Sequence, residues 1–398
     1  MSTHSPLKLA VIGGSRGTVY RQIVPFLPAH VELVAVCDPN PEVRQRWKEA
    51  APQLQTYATI EEVIANDDIE AVVLATPMQI HVAQSVAFLN AGKHVLSEVS
   101  ASLDIEGCWE LVETVEKTGL TYMMAENFCY LRVNMMIQHM VEQGAFGELT
   151  HAECGYIHDV RSATHLPDGS LAWRGQLLKD YDGINYPTHS LGPVAQWLDI
   201  NRSDFFDYII SISSKSAAQA DYYNRNLGQE HPGSNRDFWK QGDSTLALIR
   251  TKNEVVIYMR NDFSSPRPWN YMHYGLQGTK ASFASGREVW EEPVLWIDSG
   301  DAGTANARWQ PLNNFAGQYE HPAWRNEGGM AQKASTLGEY FVLKEFAAAV
   351  QEKRPPAIDV YDSVTLSSVF PLSAQSIALG GQPVKFPNFT KNRRANNE

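Results

Sequence analysis

In GINYPTHSLGP, residues 183–193, Tyr186 and His189 stand three positions apart with Pro187 between them. Both side chains move protons. An imidazole with an unperturbed pKa of about 6.5 suits a general base near working pH. A phenol ionises near pH 10, so acting as a base at pH 7 takes help worth roughly 4 kcal/mol from a cation or from desolvation. Donating a proton or a hydrogen bond is therefore the easier role for Tyr186. Pro187 fixes one φ angle and limits how far the pair can splay. Tyr156 and His158, in GYIHD, are spaced so that strand alternation puts both on one face.

VIGGSRGT ends an apolar run and opens an amphipathic stretch, the setting of a dinucleotide-binding turn. Gly13, Gly14 and Gly17 permit a tight turn and the close approach of a pyrophosphate, with Ser15 and Arg16 completing a loop whose following helix offers free N–H groups. The usual GxGxxG is one residue short here. Asp38 ends the second apolar run, where a carboxylate accepts from the ribose 2′-hydroxyl and a 2′-phosphate would meet a like charge. NAD is thus expected rather than NADP. Thr76, Pro77, His81 and Glu98 follow later strands, at the sheet edge where open parallel sheets take their ligands, and are expected to face the cofactor. No histidine or carboxylate cluster has metal-ligand spacing, so no metal is expected.

These residues need a frame. Apolar runs at 7–14, 31–38, 71–77, 94–100 and 120–126 alternate with helical stretches at 78–92 and 104–117, which predicts strands of a parallel sheet covered on both faces. From about residue 126 the texture changes. A helix is predicted over 133–143, then strands over 147–160 and 243–263, the latter broken at Lys252-Asn253-Glu254, with the alternation of an antiparallel sheet. Residues 220–240 and 297–330 read as long loops, and helices over 335–351 and 363–379 close the chain. The expected fold is α/β, a doubly wound Rossmann domain over 1–126, an α+β domain with a mainly antiparallel sheet over 127–390, and a basic tail over 391–398.

Composition narrows the function classes. At 398 residues, two domains of ordinary size are expected, and 43% hydrophobic with 20% charged residues excludes a disordered or fibrous chain. A net charge of -12 repels phosphate backbones and anionic lipid, so neither nucleic acid nor a membrane is an expected partner. The four cysteines, Cys37, Cys108, Cys129 and Cys154, lack CxxC spacing and read as buried reduced thiols. A cytoplasmic homo-oligomer is expected.

VIGGSRG, ATPMQIHVAQSVAFLNAGKHVLSEVS and AENFCY together resemble the Gfo/Idh/MocA family of sugar and inositol oxidoreductases. More narrowly, the run from MMAENFCY to GELTHAECGYIHDVR, then WRG (173–175), YPTHSLGPVA (186–195), SSPRPW (264–269) and EHPAW (320–324), is similar to glycoside hydrolase family 109, the NAD-dependent branch typified by α-N-acetylgalactosaminidase. The resemblance implies NAD as cofactor, with Asn127 beside it, and a sugar or glycoside as substrate. It implies that Tyr156 contacts the sugar as a second acid or base, with Trp173, Arg174 and Asn185 nearby. Either Trp269 or Tyr271 matches the family's substrate tyrosine.

Three departures stand out. The wider family's EKP lysine is Val99, which leaves His189 as the base for a sugar hydroxyl. Asn185 replaces an Asp common in that wider family. The branch's GHGGMD reads Asn326-Glu327-Gly328-Gly329-Met330-Ala331, without its His and Asp. Two activities compete: a glycosidase that oxidises C3, eliminates the C1 substituent, adds water and returns the hydride, or a sugar or cyclitol dehydrogenase that releases NADH. A dinucleotide sensor without chemistry is a third reading.

Overall fold

The five expected apolar runs, with the short and largely exposed segment Gln55–Tyr57 as a sixth, lie side by side as parallel strands in the computed structural model, which describes residues 5–298, 300, 307–335 and 337–390. They are β1 (Leu7–Ile12), β2 (Val31–Cys37), β3 (Gln55–Tyr57), β4 (Ala71–Leu74), β5 (His94–Ser97) and β6 (Tyr122–Met124), in the order β3-β2-β1-β4-β5-β6. All five pairings are parallel. Leu9, Ala10, Val11, Val72, Val73 and Leu96 are fully buried, as expected for strands covered on both faces. Doubly wound order places the carboxyl ends of these strands, with their loops, where a dinucleotide binds.

A second sheet has nine strands: β7 (Leu149–Ile157), β8 (Phe206–Ser213), β9 (Thr245–Thr251), β10 (Val256–Asp262), β11 (Asn270–Gly278), β12 (Ala281–Ala284), β13 (Val294–Ile297), β14 (Gln310–Pro311) and β15 (Val384–Lys385). Their order is β14-β13-β12-β11-β7-β10-β9-β8-β15. Every pairing is antiparallel except β7 with β10, so the sheet is mainly antiparallel as expected.

The chain divides less simply than at 126/127. One compact unit runs to Arg132 and takes back Pro322–Ser368 and the segment from Asn388, while the other comprises Val133–His321 and Val369–Pro387. The reason is apolar. Helix Glu339–Glu352 packs on helix Gly14–Ile23 and on the turn Asn127–Tyr130, burying Phe341, Val342, Leu343 and Phe346 in the first unit. The 391–398 tail lies outside the described residues.

Two expected loops contain helices. Helix Ala217–Leu227 overlaps the start of 220–240, and helix Pro322–Ala334 the end of 297–330, of which 299 and 301–306 lie outside the described residues. The first starts because the Asp243 carboxylate accepts the N–H groups of Ala217, Ala218 and Gln219 at 2.7, 2.7 and 3.1 Å. That cap comes from a residue about two dozen positions away, beyond the reach of local capping patterns. The Gly328-Gly329 pair disguises the second helix, since glycine is a poor helix former. The expected helix over 363–379 is two, Val360–Ser367 and Val369–Ala378, because Pro371 cannot donate to the carbonyl of Ser367. Among the described residues no helix is long and apolar enough to cross a membrane. All four cysteines are free and buried.

Candidate active site

The glycine loop between β1 and helix Gly14–Ile23 is built for close approach. Gly13 has φ +92°, and a Cβ there would lie 2.5 Å from the carbonyl oxygen of Ala75. A Cβ on Gly17 would lie 2.2 Å from Val11 Cγ1, so this glycine lets the helix pack on its strand. Asp38 Oδ2 accepts the Gly14 N–H at 2.8 Å, joining the end of β2 to the loop. A cleft of about 520 Å³ opens beside them, lined among others by Gly13, Ser15, Asp38, Thr76 and Pro77.

Arg16 extends from this loop to Glu98, with Nε 3.0 Å and a terminal nitrogen 2.9 Å from Oε1, and lies 3.6 Å from the buried Glu339. Tyr20 donates to the same Glu98 oxygen at 3.0 Å, and burial, then the Glu98 charge, raises its pKa and keeps it a donor. Asn127 donates to the carbonyl of Leu337 at 2.8 Å, while its own Oδ1 is buried without a partner. A glycine cradle, an acidic residue after β2 and an orphaned amide oxygen together fit a dinucleotide with a donor group at one end.

His81 is not available to a cofactor as expected. It is fully buried, with Nδ1 2.8 Å from the carbonyl of Ser100 and Nε2 2.9 Å from that of Thr76. Burial lowers its pKa, opposed by those two carbonyls. It staples the loop after β4 to the segment after β5. Glu327, at the departure from GHGGMD, also points to structure: Lys344 donates to its two oxygens at 2.5 and 2.6 Å and Tyr340 donates at 2.9 Å.

In the second unit the proton-transfer residues converge. The rings of Tyr156, at the end of β7, and of Tyr186 and His189, around the start of helix Thr188–Trp197, form a triangle with centroid separations of 5.2, 5.5 and 5.1 Å. Phe263 packs against both tyrosines. His158 lies on the same side as Tyr156, whose hydroxyl is 3.0 Å from Nδ1. Burial first, then the Arg174 charge, pulls the His158 pKa down to about 4, so the ring is neutral, and in the tautomer with its hydrogen on Nε2 its Nδ1 accepts from the phenol.

Tyr271 borders both Tyr156 and His158, whereas Trp269, half exposed, stands edge-on to His158 and borders Tyr271. Arg174 stacks over Trp173 at 4.2 Å, both at the start of helix Trp173–Asp180. Asn185 does not reach a substrate as expected. It is fully buried, donating to Gln241 at 3.0 Å and accepting from Asn261 at 3.3 Å, so it fixes the loop ahead of Tyr186. Strand alternation was the one sequence signal for His158; the contacts of Gln241, Asn261 and Glu339 are too distant in sequence to leave one.

Comparison with known proteins decides the family. Residues 130–396 match the model for the glycosyl hydrolase 109 C-terminal domain, and a glycosyl hydrolase family 109 protein of Solibacter usitatus is 35% identical over 376 residues, 91% of this chain and 83% of that one. The chain belongs to glycosyl hydrolase family 109. Residues 7–126 match the NAD-binding Rossmann fold of the oxidoreductase family, so the first unit of this family 109 protein carries an NAD-binding domain. An α-N-acetylgalactosaminidase of Shewanella oneidensis is 32% identical over 374 residues, 91% of this chain and 80% of that one. The fold is shared with an oxidoreductase domain protein from Kribbella flavida at TM-score 0.75 and 17% identity, covering 97% of this chain and 100% of that one. It is shared equally with levoglucosan dehydrogenase in complex with NADH and levoglucosan, at TM-score 0.75 and 18% identity, over 96% and 100% of the two chains.

Proposed function

We propose that this family 109 protein is an NAD-dependent glycosidase that works by transient oxidation of its sugar at C3. The observation that carries the reading is the triangle of Tyr156, Tyr186 and His189, three proton-transfer side chains with mutual centroid separations of 5.1 to 5.5 Å in the second unit. Gly13, Gly14, Ser15, Arg16, Gly17, Asp38, Thr76, Pro77, Glu98 and Asn127 hold the cofactor. Bound NAD supplies a hydride acceptor for C3 and a store from which the same hydride returns.

The chain's own residues handle protons. His189 takes the proton of the C3 hydroxyl as the carbonyl forms. That carbonyl acidifies the hydrogen on C2, which Tyr156 removes as the C1 substituent departs. Tyr186 donates to the departing oxygen. Water then adds at C1, C2 regains a proton, and C3 is reduced, a route distinct from the two-carboxylate pattern of most glycosidases. Trp173, Arg174 and either Trp269 or Tyr271 hold the sugar ring. The free, buried cysteines and the net charge support a cytoplasmic protein without nucleic acid or membrane partners, and we assign it as a homo-oligomer.

A panel of aryl glycosides headed by an α-N-acetylgalactosaminide tests the reading. Cleavage without net NADH is expected, with deuterium from heavy water at C2 of the released sugar. Untouched glycosides, with free sugars reducing NAD stoichiometrically, would instead assign a dehydrogenase.

A further inference from the structure

The geometry points to His158 as the group through which Tyr156 acts as a base, a proton relay in which the phenol takes the proton from C2 while passing its own to Nδ1. This deepens the function proposed above and rests on it. A neutral phenol oxygen is a very weak proton acceptor, so it serves as a base only when its own proton leaves in the same step. In the second unit that proton has a visible destination: the Tyr156 hydroxyl lies 3.0 Å from His158 Nδ1.

The ring's surroundings set its charge. His158 faces Tyr156, Tyr271 and Trp269, with Arg174, Asp159 and His189 as its charged or titratable neighbours. Asp159 is engaged by the Arg161 guanidinium through two contacts of 2.8 Å. Burial and the Arg174 charge keep the imidazole neutral above a pKa of about 4. With its hydrogen on Nε2, the neutral ring leaves Nδ1 to take the phenolic proton.

The step balances. The C2–H bond breaks and its proton forms a new O–H bond at Tyr156, whose original proton forms N–H at His158. The C–H electron pair becomes the C1–C2 double bond, and the C1–O pair leaves with the departing group. When water adds, the relay runs backwards and His158 becomes neutral again. A weakly basic imidazole returns the proton readily.

The test uses the full-length protein loaded with NAD, an aryl glycoside it cleaves, and the variant His158→Asn, which keeps an acceptor near the Nδ1 position without a basic nitrogen. Expected results are unchanged NAD affinity by calorimetry, unchanged single-turnover reduction of bound NAD, and a loss of about 10²- to 10⁴-fold in deuterium incorporation at C2. Added imidazole restores exchange to His158→Gly. For the wild-type enzyme, deuterium at C2 of the substrate and deuterated solvent each slow the loss of the C2 hydrogen, because that hydrogen and the phenolic proton move together. Exchange in His158→Asn within a few-fold of wild type, or loss of the C2 hydrogen at the same rate in H2O and D2O, overturns the relay and leaves the glycosidase reading standing. Cleavage by wild type without any C2 exchange overturns both.

Discussion

The phenol of Tyr274 donates to the backbone carbonyl of His189 at 2.6 Å. That carbonyl has no partner at the fourth residue along its helix, because Pro193 stands there without an N–H. A side chain from β11 thus completes the first turn that carries the imidazole. Tyr274→Phe is expected to cost about 1 to 2 kcal/mol by denaturant unfolding. It should slow turnover several-fold with NAD affinity unchanged, whereas unchanged stability would separate Tyr274 from this helix start.

His189→Ala removes the proposed base without touching the glycine loop. NAD binding should persist by calorimetry while hydride transfer, read as single-turnover absorbance of NADH, drops by about 10² to 10⁴. A loss of only a few-fold would move the C3 hydroxyl proton to Tyr156.

Asp38 accepts the Gly14 N–H of the glycine loop, and its proposed role is to hold the cofactor's ribose there. Replacing it by alanine removes one charged acceptor, a change worth about 1.5 to 3 kcal/mol, or roughly 10- to 100-fold in NAD affinity. The wild type should bind NADP much more weakly than NAD, and titration calorimetry of both nucleotides reads the difference directly.

The His158 ring has its pKa lowered to about 4 in the folded chain from an ordinary value of 6.5. Between those values the unfolded chain takes up the proton, so stability is complete above pH 6.5 and falls as pH drops toward 4. With a discount for partial exposure, about 1 to 2 kcal/mol is lost over that window. Unfolding free energies measured at pH 4 to 7 should slope less in His158→Asn than in wild type.

His81→Ala frees the buried carbonyls of Thr76 and Ser100 and leaves a cavity. A loss of about 2 to 4 kcal/mol is expected by chemical denaturation. Retained stability would show that the two loops do not depend on the imidazole between them.

What could be read beforehand was what chain-neighbours decide. Apolar runs ending in Gly13 or Asp38 gave β1 and β2, and the Lys252-Asn253-Glu254 break separated β9 from β10. Period-2 spacing put Tyr156 and His158 on one face, but the 3.0 Å contact between them depends on how β7 ends. The helix at 217–227 was hidden because Asp243 caps it from afar. Asn185 and His81 read as ligand contacts in the sequence because polarity beside a motif looks the same whether a side chain faces a ligand or props the loop that does. Their complete burial distinguishes the two.

The interleaved division of the chain bears on how the protein is made. Ribosomal synthesis runs from the N-terminus, and N-terminal domains ordinarily fold first. Here the six-stranded sheet lacks the helix that covers Asn127–Tyr130 until Glu339–Glu352 has emerged, and the nine-stranded sheet lacks its edge strand until Val384–Lys385 follows. Phe341 and Phe346, then Leu366 and Phe389, are late arrivals among the buried apolar side chains of the first unit. Both apolar faces therefore wait, partly uncovered, until residues 339–385 have emerged from the ribosome.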